Sequence, residues 1–185
     1  MATEVSICSN ALRRLGDSPI TSLTEDSERG RLCNAFYEPS RDAILRSHTW
    51  NFAINRANLA KLSTSPAFEY ANQFALPTDP FCLRVLKMEF EDYEFKIENL
   101  AGQGRVLLTD EGEAKIIYIA RVTDPSLFDS MFVDVLTAKL AVDLAYPVTN
   151  STTLQVQMQK LFERKLSEAR SLDSTEGSTD SLIST

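Results

Sequence analysis

The sequence predicts an α+β protein: mainly an α-helical bundle, with an inserted antiparallel β region and a flexible C-terminal tail. Segments with apolar residues at helical spacing lie at both ends of the chain, and short runs that alternate apolar and polar residues lie between them. The last residues are rich in Ser and Thr and lack hydrophobic periodicity. The predicted boundaries are 1–62 and 124–172 for the bundle, 63–123 for the β region and 173–185 for the tail.

Composition limits the class of protein. The chain has 185 residues, of which 43% are hydrophobic and 24% charged, and this length is enough for one sizeable core or for one core with a satellite. Its apolar runs are too short to span a bilayer, and the N-terminus lacks a basic region followed by an apolar stretch. We therefore expect no membrane segment and no signal peptide. The net charge of −7 argues against sequence-specific nucleic-acid binding, which needs clustered Lys and Arg, although DNA can slide past an acidic wall.

The first half of the bundle shows signals for the ends of helices. Thr3 is the expected N-cap of a first helix, and Gly16 is expected to close it in a left-handed conformation. A second helix is expected over residues 26–47, with a kink or break at Pro39, which has no backbone donor. Residues 49–62 are expected to form a turn and a short helix.

The central region predicts five strands. The clearest spans residues 93–97, where aromatic or apolar side chains alternate with charged ones. Turns at residues 102–104 and 111–112 join the later strands tightly, which predicts a meander of antiparallel hairpins. The five predicted strands are 73–76, 83–88, 93–97, 105–109 and 115–121.

Helix is expected to resume at Asp124, an N-cap followed by proline at the first helical position. Apolar residues cover most of this third helix, so we expect it to be surrounded, and Pro147 is expected to end it. A fourth helix starts from a cap at Ser151 or Thr152. The main stripe of the third helix comprises Phe128, Phe132, Val135, Leu136, Leu140 and Leu144. We expect Phe128, Phe132, Leu136 and Leu140 to pack against Leu12, Leu15, Phe36 and Ile44.

No catalytic, cofactor or metal site is predicted. His48 is the sole histidine and has no nucleophile or orienting acid near it in sequence, so we interpret it as packed beside Trp50. Cys8, Cys33 and Cys82 form no CxxC pair, and one histidine cannot complete a usual zinc site. We interpret the cysteines as small buried hydrophobic residues in a reducing compartment.

One acidic cluster leaves an enzymatic alternative open. Glu89, Glu91, Asp92 and Glu94 offer the paired carboxylates that glycoside hydrolysis uses. Clustered acids in a region of strands and turns are more often a solvated edge, so the hydrolase is the weaker interpretation.

Two blocks of the sequence carry a resemblance. The first reads SNALRRLGDSPITSLTEDSERGRLCNAFYEPSRDAILRSHTWNFAINRANLA, and the second reads YIARVTDPSLFDSMFVDVLTAKLAVDLAYPVT. Both blocks, in this order and with a strand-rich interval between them, resemble the head-to-tail adaptors of short-tailed bacteriophages, the tail tubular protein A group.

The resemblance implies a helical bundle with an inserted β region and a place in the neck of a virion, assembled in the host cytoplasm. It implies a dodecameric ring that binds the portal protein above and the tail nozzle or next tail protein below. DNA would pass through the ring during ejection without specific binding. Some adaptor relatives are described as peptidoglycan hydrolases, but no lytic motif is recognisable here. A tail-associated hydrolase and another neck protein, a stopper or head-completion protein, are the alternatives.

The tail is the expected portal-binding segment. Leu182 and Ile183 are its only large apolar residues, and they stand among small polar ones. The candidate partner-binding residues are Ser181, Leu182, Ile183, Ser184 and Thr185. With no long heptad repeat in the chain, we expect the free protein to be a monomer and the ring to form on its partner.

Overall fold

The computed structural model describes residues 1–175 and has four α-helices and six strands in that range. They form two units, a helical unit of Met1–Phe52 with the chain from Val122, and a β unit of Ala53–Arg121. The predicted α+β class is confirmed. The helices are α1 (Glu4–Arg14), α2 (Glu28–Ser47), α3 (Ser130–Thr149) and α4 (Thr152–Asp173). The strands are β1 (Ile54–Asn58), β2 (Asn72–Ala75), β3 (Cys82–Met88), β4 (Lys96–Leu100), β5 (Gly104–Thr109) and β6 (Lys115–Ala120).

The capping signals of α1 are confirmed. The Thr3 hydroxyl accepts a hydrogen bond from the Ser6 backbone N–H at 3.1 Å, and the Ser6 hydroxyl oxygen accepts one from the Thr3 N–H at 2.9 Å. Such a reciprocal capping box satisfies two backbone donors that a helix N-terminus otherwise leaves unpaired. At the other end Gly16 has φ of +77°, and the Asp17 N–H bonds the Leu12 carbonyl. This is the Schellman arrangement that a glycine after the last turn favours.

Neither of the two prolines inside helices interrupts its helix. α2 continues through Pro39, so of the kink or break expected there, the break is absent. The buried Tyr37 and Ser40 hold the turns on either side of the proline, and their packing outweighs one missing hydrogen bond. Pro147 does not end α3 either, because it removes only one donor in the last turn. The last helical residue is Thr149. Its C-cap is Asn150, whose φ of 52° is left-handed and whose N–H bonds the Tyr146 carbonyl.

The start of α3 also differs from the prediction. Asp124 caps only a 3-10 turn, Pro125–Leu127, through a hydrogen bond from the Ser126 N–H. The N-cap of α3 is Asp129, whose carboxylate accepts from the Met131 N–H at 2.7 Å. A second capping residue five positions along the chain therefore competes with the first, and helix propagates from the later one.

α3 is the centre of the helical unit and packs against α1, α2 and α4. The six residues of its predicted stripe are all buried, which confirms that part of the prediction. Of the four expected partners, Leu12, Leu15 and Ile44 are buried, whereas Phe36 is only partly covered. Trp50 is also fully buried here, and its Nε1 donates to the Ile44 carbonyl at 3.0 Å.

The β unit begins at Ala53 and not at residue 63. The prediction of a short helix within residues 49–62 is wrong. The segment forms a 3-10 turn, Asn51–Ala53, followed by β1. β1 pairs along its whole length with β6, Ile54 lying opposite Ile119. Its own strand propensity is weak, so the backbone ladder to a distant strand decides its conformation.

The predicted meander is wrong, although every strand pairing is antiparallel. One sheet has the order β1-β6-β3 and the other β2-β5-β4, so consecutive β5 and β6 lie in different sheets. Residues of both sheets pack into one shared core. A single meander would form one sheet, and one face of that sheet would stay uncovered. The core residues are Leu59, Phe74, Leu76, Cys82, Met88, Leu107, Ala114, Ile116, Tyr118 and Ala120.

β4 and β5 form a hairpin, and its turn corrects the prediction for residues 93–97. Gly102 and Gly104 have φ of +77° and +79°, and Leu100 lies opposite Gly104. The turn thus sets the register and places the strand at Lys96–Leu100, three residues later than its alternating pattern suggested.

Candidate partner-binding surfaces

The predicted portal-binding residues Ser181, Leu182, Ile183, Ser184 and Thr185 lie outside the residues that the structure describes. The predicted start of the tail at residue 173 is wrong. Asp173 is the last residue of α4, and the Ser174 and Thr175 N–H groups bond carbonyls of its final turns. Residues 173–175 therefore belong to the end of the helix, and the described part of the chain stops at Thr175.

The C-terminal end of α4 is attached to the end of α2. The Asp173 carboxylate lies 3.0 Å from His48 Nε2 and accepts the Asn51 backbone N–H at 3.0 Å. The Asn51 side-chain amide donates to the Asp173 carbonyl at 2.6 Å, and Arg170 donates to the Ser47 carbonyl at 3.2 Å. The segment after Thr175 therefore starts from a point that is held by side-chain and backbone hydrogen bonds.

His48 has a structural position in this network. Its ring meets the Trp50 ring edge to face, with centroids 4.8 Å apart, so the expected packing of His48 beside Trp50 is confirmed. Asp173 holds the imidazole through its Nε2 atom. Sequence reasoning missed this partner, since the two residues are 125 positions apart and neither belongs to a recognisable motif.

α4 is the helix with the least covered apolar side. It packs chiefly against α3, and Ala169 is its one buried residue. Val156 and Leu172 are 55% and 52% exposed. Five further apolar residues of this helix are only half-buried: Leu154, Met158, Leu161, Phe162 and Leu166. The helix thus leaves apolar surface that the helical unit itself does not cover.

An ion-pair cluster ties three helices together. Asp134 of α3 bonds Arg14 of α1, and its second carboxylate oxygen lies 3.0 Å from Lys165 Nζ of α4. Burial acts to raise the pKa of Asp134, but the hydrogen bonds from Lys165 and Arg14 together lower it below its ordinary value.

This cluster predicts a pH dependence. A folded-state pKa below the unfolded value means that Asp134 stabilises the fold above the unfolded pKa of about 4 and loses that contribution as pH falls through the folded pKa. We expect Asp134→Asn to lower the free energy of unfolding by about 1 kcal/mol at pH 7. Urea titrations of both proteins should show this gap shrinking below about pH 4. A gap that grows on acidification would contradict the assignment.

The acidic cluster lies on a solvated edge. Glu89, Glu91, Asp92 and Glu94 are all exposed, and Lys115 Nζ lies 2.9 Å from a Glu89 carboxylate oxygen. Lys87 Nζ lies 3.4 Å from Glu91. A cleft of about 410 Å³ opens beside Glu89, and among the described residues that line it Glu89 is the one carboxylate. The two facing carboxylates that a glycosidase uses are not brought together there.

Within residues 1–175, no group of three or more His, Cys, Asp and Glu side chains could hold a metal ion. No helix in that range is long and apolar enough to cross a membrane. Cys8, Cys33 and Cys82 are buried, as expected from their apolar surroundings, and none of the three is in a disulfide.

The comparisons with known proteins identify no family. A scan against protein-family models finds no match, and a search of curated proteins finds none.

Proposed function

We propose that this protein is a virion structural protein of a short-tailed bacteriophage, a head-to-tail adaptor that forms a ring between the portal and the tail nozzle. The observation that carries the proposal is the resemblance of residues 9–60 and 118–149 to that group. Its partners would be the portal protein, the nozzle or next tail protein, and further copies of itself.

The connection of the β unit supports the insertion that the resemblance implies. β1 ends the first resembling block and β6 leads into the second, and these two strands are hydrogen-bonded neighbours. The chain therefore enters and leaves the β unit side by side. Such an insertion leaves the flanking helices free to form one unit, as α1, α2, α3 and α4 do.

Two surface properties fit an assembly component. The exposed apolar residues of α4 offer area that contact with a neighbouring subunit would bury. The net charge of −7 suits a channel wall along which DNA moves without attachment.

The C-terminal tails would attach the ring to the portal. A single tail would bind the portal weakly, but many tails on one ring raise the effective concentration and give firm attachment.

Attachment to portal rings tests the proposal. Full-length protein mixed with purified portal rings should form a ring on the portal that is visible by electron microscopy. A chain that ends at Thr175 should stay folded and lose most of this binding. Leu182→Ser with Ile183→Ser should lose part of it, because the two apolar side chains are removed.

The matched control is Ser178→Ala with Thr179→Ala, which lies outside the candidate portal-binding residues, keeps the apolar pair and should bind as the full chain does. Equal loading of the Thr175 truncation would reject the tail as the docking segment. If neither protein binds a portal, and zymography instead shows clearing of peptidoglycan, the adaptor proposal fails in favour of the hydrolase.

A further inference from the structure

The β unit exposes one phenylalanine almost completely. Phe68 is 81% exposed, more than any other large apolar side chain of the described residues except the N-terminal Met1. It lies in the loop before β2, where its carbonyl accepts the Tyr70 N–H at 3.0 Å. The next residue, Glu69, has φ of 75°, a left-handed conformation that is costly for a residue other than glycine. The loop thus presents a phenylalanine to solvent from a strained turn.

This loop lies over the outer face of the β2-β5-β4 sheet, the face turned away from the shared core. Leu107 of β5 belongs to the core, so the neighbouring Leu108 points to the outer face. Lys96 lies opposite Leu108 on that face, and its Nζ is 3.6 Å from a Glu69 carboxylate oxygen. Phe68 and Leu108 line the same small groove. Phe68 therefore projects from the outer side of this sheet.

The cleft beside Glu89 lies on the outer face of the other sheet. Alternate residues of β6 enter the shared core, so Lys115 and Ile117 point away from it. Arg56 lies opposite Ile117 in β1 and shares that face. These four residues line the cleft of about 410 Å³. The shared core separates this cleft from Phe68, so a copy cannot fill its own cleft with its own phenylalanine.

The cleft has the chemistry to receive the exposed loop. Ile117 is half-buried and apolar, and clefts of about 300–1,000 Å³ hold compact organic groups, so one phenyl ring fits. Lys115 is paired with Glu89 at 2.9 Å, whereas the exposed Arg56 side chain has no ion-pair partner within residues 1–175. A guanidinium attracts both an aromatic ring and a carboxylate, and the loop supplies a carboxylate at Glu69, directly after its phenylalanine.

We propose that the β units of neighbouring copies bind each other back to front: Phe68 of one copy enters the cleft of the next, beneath the Arg56 guanidinium. The two patches differ and belong to the same chain, so the contact is heterologous and repeats from copy to copy. Repetition closes into a ring when the rotation between copies allows it. The inference deepens the proposed adaptor ring, yet its test needs no portal, so the two can fail separately. One phenylalanine makes a weak contact, so dilute protein is expected to stay monomeric.

A photocross-linker in place of Phe68 tests the contact in the full chain. Phe68→p-benzoylphenylalanine keeps an aromatic ring in the loop, and concentrated protein is irradiated as a mixture of copies with light and heavy nitrogen isotopes. Peptides of mixed isotope should join residue 68 of one copy to residues 56–58 or 115–117 of another. Links within one copy only, links to other surfaces, or no linked copies would overturn the proposal.

Mixing two variants tests whether the two patches are different. Phe68→Ala removes the ring and keeps the cleft, whereas Arg56→Glu keeps the ring and makes the cleft repel Glu69. Each variant alone should self-associate at least about tenfold more weakly than the wild type in sedimentation velocity. An equal mixture should form pairs and no larger species, because only one phenylalanine and one intact cleft can meet.

Leu127→Ala is the matched control, because it removes another exposed apolar side chain, outside the β unit, and should associate as the wild type does. If the mixture stays monomeric while the wild type associates, the contact is symmetric and the proposal is wrong. Association of Phe68→Ala at wild-type strength would place the contact elsewhere and would also reject it.

Discussion

Phe132→Ala is expected to lower the free energy of unfolding by about 3–5 kcal/mol. Phe132 is 0% exposed at the centre of the helical unit. Its ring meets Trp50, Phe52 and Phe128 edge to face, with centroids 5.3, 5.0 and 5.0 Å apart. Truncation would leave a cavity bounded by three rigid rings, which cannot close around it without moving α3 against its neighbours.

Urea unfolding followed by tryptophan fluorescence measures this effect, because Trp50 contacts the altered ring. The matched control is Phe68→Ala, which removes the same side chain where it is 81% exposed. That variant should differ from the wild type by less than about 0.5 kcal/mol. Similar losses in the two variants would show that Phe132 is not at the centre of the core.

Asp173→Ala in the full chain is expected to lower the free energy of unfolding by about 2–3 kcal/mol. The Asp173 side chain is 10% exposed and holds both His48 and the Asn51 backbone. Its removal leaves the Asn51 donor and the imidazole without that partner. Deletion from residue 173 onward should therefore destabilise the protein, although the sequence analysis assigns this residue to the flexible tail.

Two truncations separate the helix end from the tail. A chain that ends at Thr175 keeps Asp173 and should unfold at the same urea concentration as the full chain. A chain that ends at Leu172 should unfold at a lower one, and Asp173→Ala shows the same loss without a new terminal carboxylate nearby. Equal midpoints for all of these proteins would contradict a structural role for Asp173.

The errors in the β region share one cause. β1 has no strong pattern of its own and becomes a strand because it pairs with β6, far along the chain. β5 and β6 are joined by a short turn, but each finds its partners in a different sheet. Pairing between distant segments depends on which faces can be buried together, and alternation within one segment does not contain that information.

Sequence alone could likewise identify only part of the candidate partner surface. The resemblance and the apolar pair Leu182 and Ile183 could be found from sequence. The attachment of Asp173 to His48 and Asn51, which defines where the tail starts, could not. Neither Asp nor His at a helix end is an unusual residue, and only the approach of α4 to the end of α2 makes them partners.

The sequence by itself determined the features that depend on neighbouring residues. The capping box at Thr3, the left-handed Gly16 and the buried stripe of α3 follow from local hydrogen bonds and helical spacing. Only the tertiary structure decided that α2 continues through Pro39 and that β1 pairs with β6. The physical reason is that packing free energy comes from segments distant along the chain, and it outweighs a local signal worth one hydrogen bond.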